Sequence, residues 1–168
     1  MRSPQLLSPE WLALVAKGVS AMVASRDHAL RPSLMRAVGT YLDAGTGELT
    51  LYLRQSQSAA LLTDLQASGR MAVVFSEPAT HRTLQLKGRA LHLRPATEAD
   101  QPRLDSYRAS MVREVGLVGY DGRFVAAMLA APLRDVVAIA FQPEQAFDQT
   151  PGPLAGTPLH PAEEGRSA

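Results

Sequence analysis

The chain contains no cysteine, which removes disulfide frameworks, thiol catalysis and thiolate-rich metal centres from consideration. Its four histidines, at positions 28, 81, 92 and 160, lack the short spacings of metal ligation, so no metal is expected. Neither a hydrolytic triad nor a paired-carboxylate arrangement is visible from spacing, and no catalytic residue is named. No run of 18 apolar residues is present, and Met1-Arg2-Ser3-Pro4 leads into no signal-like apolar core. The sequence therefore reads as soluble and cytoplasmic. Lysine is scarce: Lys17 and Lys87 are the only two among 17 basic residues. Arginine supplies the rest, and its planar fork suits phosphate better than an ammonium does. A net charge of +1 argues against nucleic acid or an acidic membrane as partner.

What is present suits one domain with a tail. A chain of 168 residues can bury roughly 68–70% of its extended surface without a metal or disulfide to hold it. Ser8-Pro9-Glu10 starts a helix that ends at Gly18. Val19 to Arg26 alternates as a strand, followed by a turn at Asp27-His28. Further strands are expected over Arg36–Leu42 and Glu48–Leu53. The five residues between them, Asp43-Ala44-Gly45-Thr46-Gly47, fit a hairpin and are too short for a parallel crossover.

Ser56 opens a helix along Ala59, Leu61, Leu62 and Leu65 that stops at Gly69. Arg70–Phe75 and Arg82–Leu93 read as the next strands. In the latter, Leu84, Leu86, Gly88 and Ala90 share one face, with Thr83, Gln85, Lys87 and Arg89 on the other. The pattern then inverts, which calls for a bulge near Gly88–Ala90 or a strand end buried on both sides. The period turns helical from Thr97 to Val115, with Pro102 an obstacle near its start. A short helix over Phe124–Ala130 and a strand over Leu133–Phe141 complete the domain at residue 147. Residues 148–168 form a Pro/Gly-rich arm, poor in apolar residues and disordered over Glu163–Ala168. It either trails over the surface or crosses a ligand site or a partner subunit.

Two patterns carry a family resemblance: Arg36-Ala37-Val38-Gly39-Thr40-Tyr41, followed across the hairpin by Leu49–Leu53 and Ser56-Gln57-Ser58-Ala59; and His81-Arg82-Thr83-Leu84-Gln85-Leu86-Lys87-Gly88. Over residues 8–95 their order resembles the FMN-binding split-barrel proteins typified by pyridoxamine phosphate oxidase. The resemblance implies a mainly β fold with helices, a six-stranded antiparallel split barrel, and a homodimer with FMN at the subunit interface. It implies cofactor contacts at Arg36, Ala37, Val38, Gly39, Thr40, Tyr52, Leu53, Ser56, Gln57, Ser58 and Thr83, with the phosphate near Ser56, Gln57 and Ser58. The implied activity is FMN-dependent oxidoreduction of a small molecule, with a nicotinamide as possible electron donor. The alternatives are a non-catalytic flavin- or haem-binding barrel, for which His28 and His81 are the haem candidates, and a deazaflavin-dependent reductase. The chain departs from the family's loop cations, having Gln57-Ser58 in place of an Arg-Lys pair.

Overall fold

The computed structural model describes residues 6–159. The first helix, α1 (Pro9–Lys17), begins with Pro9, whose missing N–H costs nothing there. It ends at Gly18, whose φ of 79° lies in the left-handed region. β1 (Ser20–Arg26), β2 (Pro32–Arg36), β3 (Gly39–Leu42) and β4 (Leu49–Arg54) follow. Then come α2 (Ala59–Ser68), β5 (Arg70–Ser76), β6 (Thr83–Pro95), α3 (Gln101–Gly116), α4 (Gly122–Met128), β7 (Val136–Asp148) and β8 (Thr157–Leu159).

The strands are antiparallel in the order β2-β1-β5-β6-β7-β4-β3, with β8 beside β7. β2 and β3 are two halves of one bent strand, where a single Arg36–Leu42 strand was expected. At the bend, Ala37 donates its N–H to the Ala21 carbonyl at 2.9 Å and Val38 donates to the Tyr52 carbonyl at 2.8 Å. The chain thus leaves β1 and joins β4 within two residues, which closes the barrel. Counting that bent strand once gives the expected six barrel strands. β8 is an addition that the composition of the arm did not suggest.

Alternation sorts the strands into an interior and an exterior. Val23, Leu51, Leu53, Val73, Phe75, Leu84, Leu86, Ile139 and Phe141 point inward and are fully buried, with Leu61 and Leu65 of α2 packed among them. The exterior has two different halves. Over β3, β4 and the start of β7, Val38, Tyr52, Val136 and Ala138 are buried under Leu104 of α3. Over β2, β1, β5 and β6 no helix covers the sheet among the described residues.

β6 carries the expected irregularity. Its pairing with β7 slips between Lys87 and Gly88 and again between Ala90 and His92. The first slip leaves Glu144 as the extra residue on β7, and the second leaves Leu91 extra on β6. Leu93 is thereby turned toward the core opposite Ile139, while Leu91 stays 53% exposed. Of the two leucines beyond the inversion, the bulge thus returns Leu93 alone to the core. β7 also runs seven residues past the expected end at Phe141; the bulge lets Pro143 sit within it, as a proline without an N–H requires. Pro102 occupies the second position of α3, where no N–H partner is needed. The arm returns on the sheet: Gln149 donates its N–H to the Thr83 carbonyl at 2.8 Å and β8 pairs with β7. The disorder expected over Glu163–Ala168 lies outside the described residues.

Candidate functional site

The β3–β4 pairing brings together most of the residues named from sequence, since Gly39 lies opposite Tyr52 and Thr40 opposite Leu51. Their environments differ sharply. Ala37 and Leu53 are fully buried in the barrel core. Thr40 is buried, and its Oγ1 has no hydrogen-bond partner. The space a Cβ would fill at Gly39 is taken by Leu104 Cδ2 at 2.6 Å and Tyr52 Cδ2 at 3.1 Å, so the close approach there is to α3. Tyr52 is fully buried, and its hydroxyl donates to Asp100 at 2.8 Å.

Asp100 anchors this corner. Arg94 donates to both carboxylate oxygens at 2.7 and 2.8 Å, and the Thr97 N–H adds a bond at 2.9 Å. The Arg94 bonds, with help from Thr97 and Tyr52, hold the Asp100 carboxyl well below the usual carboxylate range. Burial and the Asp100 carboxylate push the Tyr52 phenol up, against the lowering influence of Arg103. Arg103 itself lies 3.9 Å from the Tyr41 ring centroid, so Tyr41 is anchored beneath α3. The Thr97-x-x-Asp100 capping box was the sequence signal for this anchor.

Arg36 stands apart from that network. It is half-buried and donates to Ser20 Oγ at 2.7 Å, and it has no carboxylate partner among the described residues. The register runs Arg36, Met22, Val74, Gln85, Phe147 across β2, β1, β5, β6 and β7. One row away, Ser20, Ser76 and Thr83 align, and the Ser76 and Thr83 hydroxyls share a bond of 3.0 Å. Thr83 therefore lies on the uncovered exterior face, three strands from Arg36, rather than beside the β3–β4 group. Gln85 joins it there, bonded to Gln149 of the arm at 3.3 Å. Strand alternation already placed Gln85 on the face of Thr83; Ser20 needed the pairing. An open groove of about 620 Å³ continues this face past Ala24, Ala72, Lys87 and Arg26.

The helix-entry residues are engaged within the chain. Ser56 donates its N–H to Asp135 Oδ1 at 2.8 Å and its hydroxyl to Oδ2 at 2.6 Å. These bonds, with Arg54 and Arg134 nearby, lower the Asp135 carboxyl from its ordinary value. Ser58 is buried and donates to the Arg54 carbonyl at 2.7 Å, while Gln57 is exposed. Ser56 sits in a single helical turn ahead of α2, which starts at Ala59. No sequence signal pointed to Asp135, because only the pairing of Arg54 with Val136 brings it to Ser56. His28 and His81 occupy exposed turns, and no cluster of three metal-binding side chains occurs among the described residues. No helix there is long and apolar enough to cross a membrane.

The bent closing strand and the two-slip β6 belong to a split barrel, the fold seen in pyridoxamine-phosphate-oxidase-like proteins. Solved structures sharing this architecture include an F420 reductase, with 14% identity, a TM-score of 0.58, and coverage of 83% of this chain and 98% of that one. A second is HupZ of Group A Streptococcus, with 14% identity, a TM-score of 0.53 and coverage of 89% and 99%. A third is a pyridoxamine 5'-phosphate oxidase-related, FMN-binding protein of Nostoc punctiforme, with 16% identity, a TM-score of 0.50 and coverage of 88% and 87%. At these identities the likeness is one of fold. No family model matches the sequence, and no curated protein matches it.

Proposed function

We propose that this protein is a homodimeric, flavin-binding oxidoreductase that holds an isoalloxazine-type ring at the seam between its bare sheet face and β3, and acts on a small molecule with a nicotinamide as electron donor. The observation that carries this reading is Arg36. A half-buried guanidinium bonded to one neutral hydroxyl keeps most of its five donors for an electron-rich partner. β3 adds a second element: among the described residues no strand pairs with its far edge, so main-chain donors and acceptors there lack ladder partners and could meet ring nitrogens and carbonyls. Names of structural neighbours that bind FMN or F420 support the same class of ligand. The bound ring would supply the electron or hydride chemistry, and the chain would bind and orient it.

The donors expected for a phosphate at Ser56 and Ser58 are bonded within the chain, so the ring end of the ligand fits this structure and a phosphate at the helix entry does not. Arg36→Ala is expected to weaken binding of riboflavin or FMN about tenfold or more, since charge-assisted bonds are the strong ones. Its urea midpoint should stay close to wild type, because the bond to Ser20 is neutral at one end. Unchanged flavin affinity by fluorescence titration would remove Arg36 from the site.

The dimer rests on the bare face. Met22, Ala24, Ala72, Val74 and Phe147 form its half-buried apolar centre, and Leu34 is 58% exposed at its margin. A second copy of this chain would cover that face and bring the partner's Thr83 and Gln85 row toward the seam. Placing an arginine at Val74 puts a charge in the centre of a symmetric contact and repeats it from the other copy. Such like-charge juxtaposition costs several kcal/mol. Val74→Arg is therefore expected to sediment as a monomer and to lose flavin binding, whereas a monomeric wild type would refute the dimer.

A further inference from the structure

We infer that Asp135 is a specificity determinant of the flavin site: its carboxylate fills the anion locus at the α2 entry, so the ligand brings no phosphate monoester to Ser56. This deepens the function proposed above and rests on it. A phosphate monoester takes up an N–H and a hydroxyl in the same fashion as the Asp135 carboxylate, which accepts the Ser56 N–H on one oxygen and the Ser56 hydroxyl on the other, at 2.8 and 2.6 Å. Both donors of Ser56 are thus spent. The remaining serine of the segment, Ser58, is buried and donates to the Arg54 carbonyl.

Two arginines lie near this exposed pair. Arg54 and Arg134 both act on Asp135 in the direction that favours its charged form. Arg54 also has a buried Nε without a hydrogen-bond partner. Two anions cannot share these donors: a phosphate dianion would meet the carboxylate across a shared hydroxyl, and like charges at that range repel. Gln57 and Ser58, where a cationic pair would have offset that repulsion, contribute no charge. The ligand class that fits is a ring compound whose ribityl-like tail ends in neutral hydroxyl groups at this point.

The test compares riboflavin with FMN, which differ by the phosphate alone, on wild type, Asp135→Asn and Asp135→Ala, with inorganic phosphate as a separate probe. Wild type is expected to bind the two flavins with similar affinity. Both variants should gain about tenfold in the ratio of FMN to riboflavin affinity, the strength of a freed charge-assisted pair. Phosphate should raise the melting temperature of both variants above that in chloride at equal ionic strength, and should leave wild type unmoved. Adding Ser56→Ala to Asp135→Ala should abolish that rise. A wild type that prefers FMN by tenfold or more, or variants whose FMN-to-riboflavin ratio stays at the wild-type value, would overturn the inference. Should neither flavin bind any form, the flavin reading fails, and the phosphate arm still decides the anion locus: a rise confined to the variants supports it and no difference refutes it.

Discussion

Gly88→Ala is expected to destabilise the protein by roughly 3 kcal/mol, the upper part of the range for overpacking a tight site. A Cβ at Gly88 would stand 2.1 Å from the Gln142 carbonyl oxygen and 3.0 Å from both the Gln142 carbonyl carbon and the Glu144 nitrogen. These are main-chain atoms of the adjacent bulge, so no side-chain rotation relieves the clash. The alanine therefore has to part β6 from β7 at the slip that sets the register of the longest strand pair in the sheet. For a domain of this size the melting temperature should fall by roughly 6–12 °C. Gly116→Ala makes the control: nothing lies within 4 Å of its Cβ position at the end of α3. It should match wild type or gain about 0.5–1 kcal/mol from reduced chain entropy. Equal melting temperatures for Gly88→Ala and wild type would mean that the bulge yields without cost.

Asp100→Ala is expected to cost about 2–4 kcal/mol in urea unfolding, with the Tyr52 hydroxyl contributing the largest share. That hydroxyl is fully buried, and losing its acceptor strands a donor at about 1–3 kcal/mol. Arg94 loses a two-pronged partner as well, but its side chain is 39% exposed and water replaces much of the bond. The pH dependence has a definite sign. The folded Asp100 carboxyl titrates below its ordinary value of 3.8, so folding binds fewer protons at this group than unfolding does. Its stabilisation is complete above the unfolded value and fades as pH falls from about 4 toward the folded value. The stability difference between wild type and Asp100→Asn should accordingly be constant from pH 7 to about pH 5 and shrink below it. A difference that stays constant down to pH 2 would show that the charge of Asp100 contributes nothing.

Those two residues show how unevenly sequence reports structure. Gly88 stood in a strand whose hydrophobic alternation failed just beyond it, so an irregularity was legible; its neighbour across the bulge was not. Asp100 belonged to a recognisable capping box, yet the partners that matter, Tyr52 and Arg94, come from strands 48 and 6 residues away. Leu91 took the extra position in the slip and stayed outside, because a bulge resets the alternation of the residues beyond it and strands the residue that makes it.

Local preferences of the chain were enough to specify most of the strands, their antiparallel hairpins and the helix stop at Gly18, while the barrel itself was implied by the family resemblance. Arg36 was named through the family resemblance, and only its position at a strand end was legible from local pattern. Three features came only with the folded chain: the expected second strand bends at Ala37–Val38 to close the barrel, α3 covers one exterior half and leaves the other bare, and Asp135 reaches Ser56. All three depend on which strands become neighbours across dozens of residues. Such pairing is chosen by the burial of whole faces at once, which no single segment encodes.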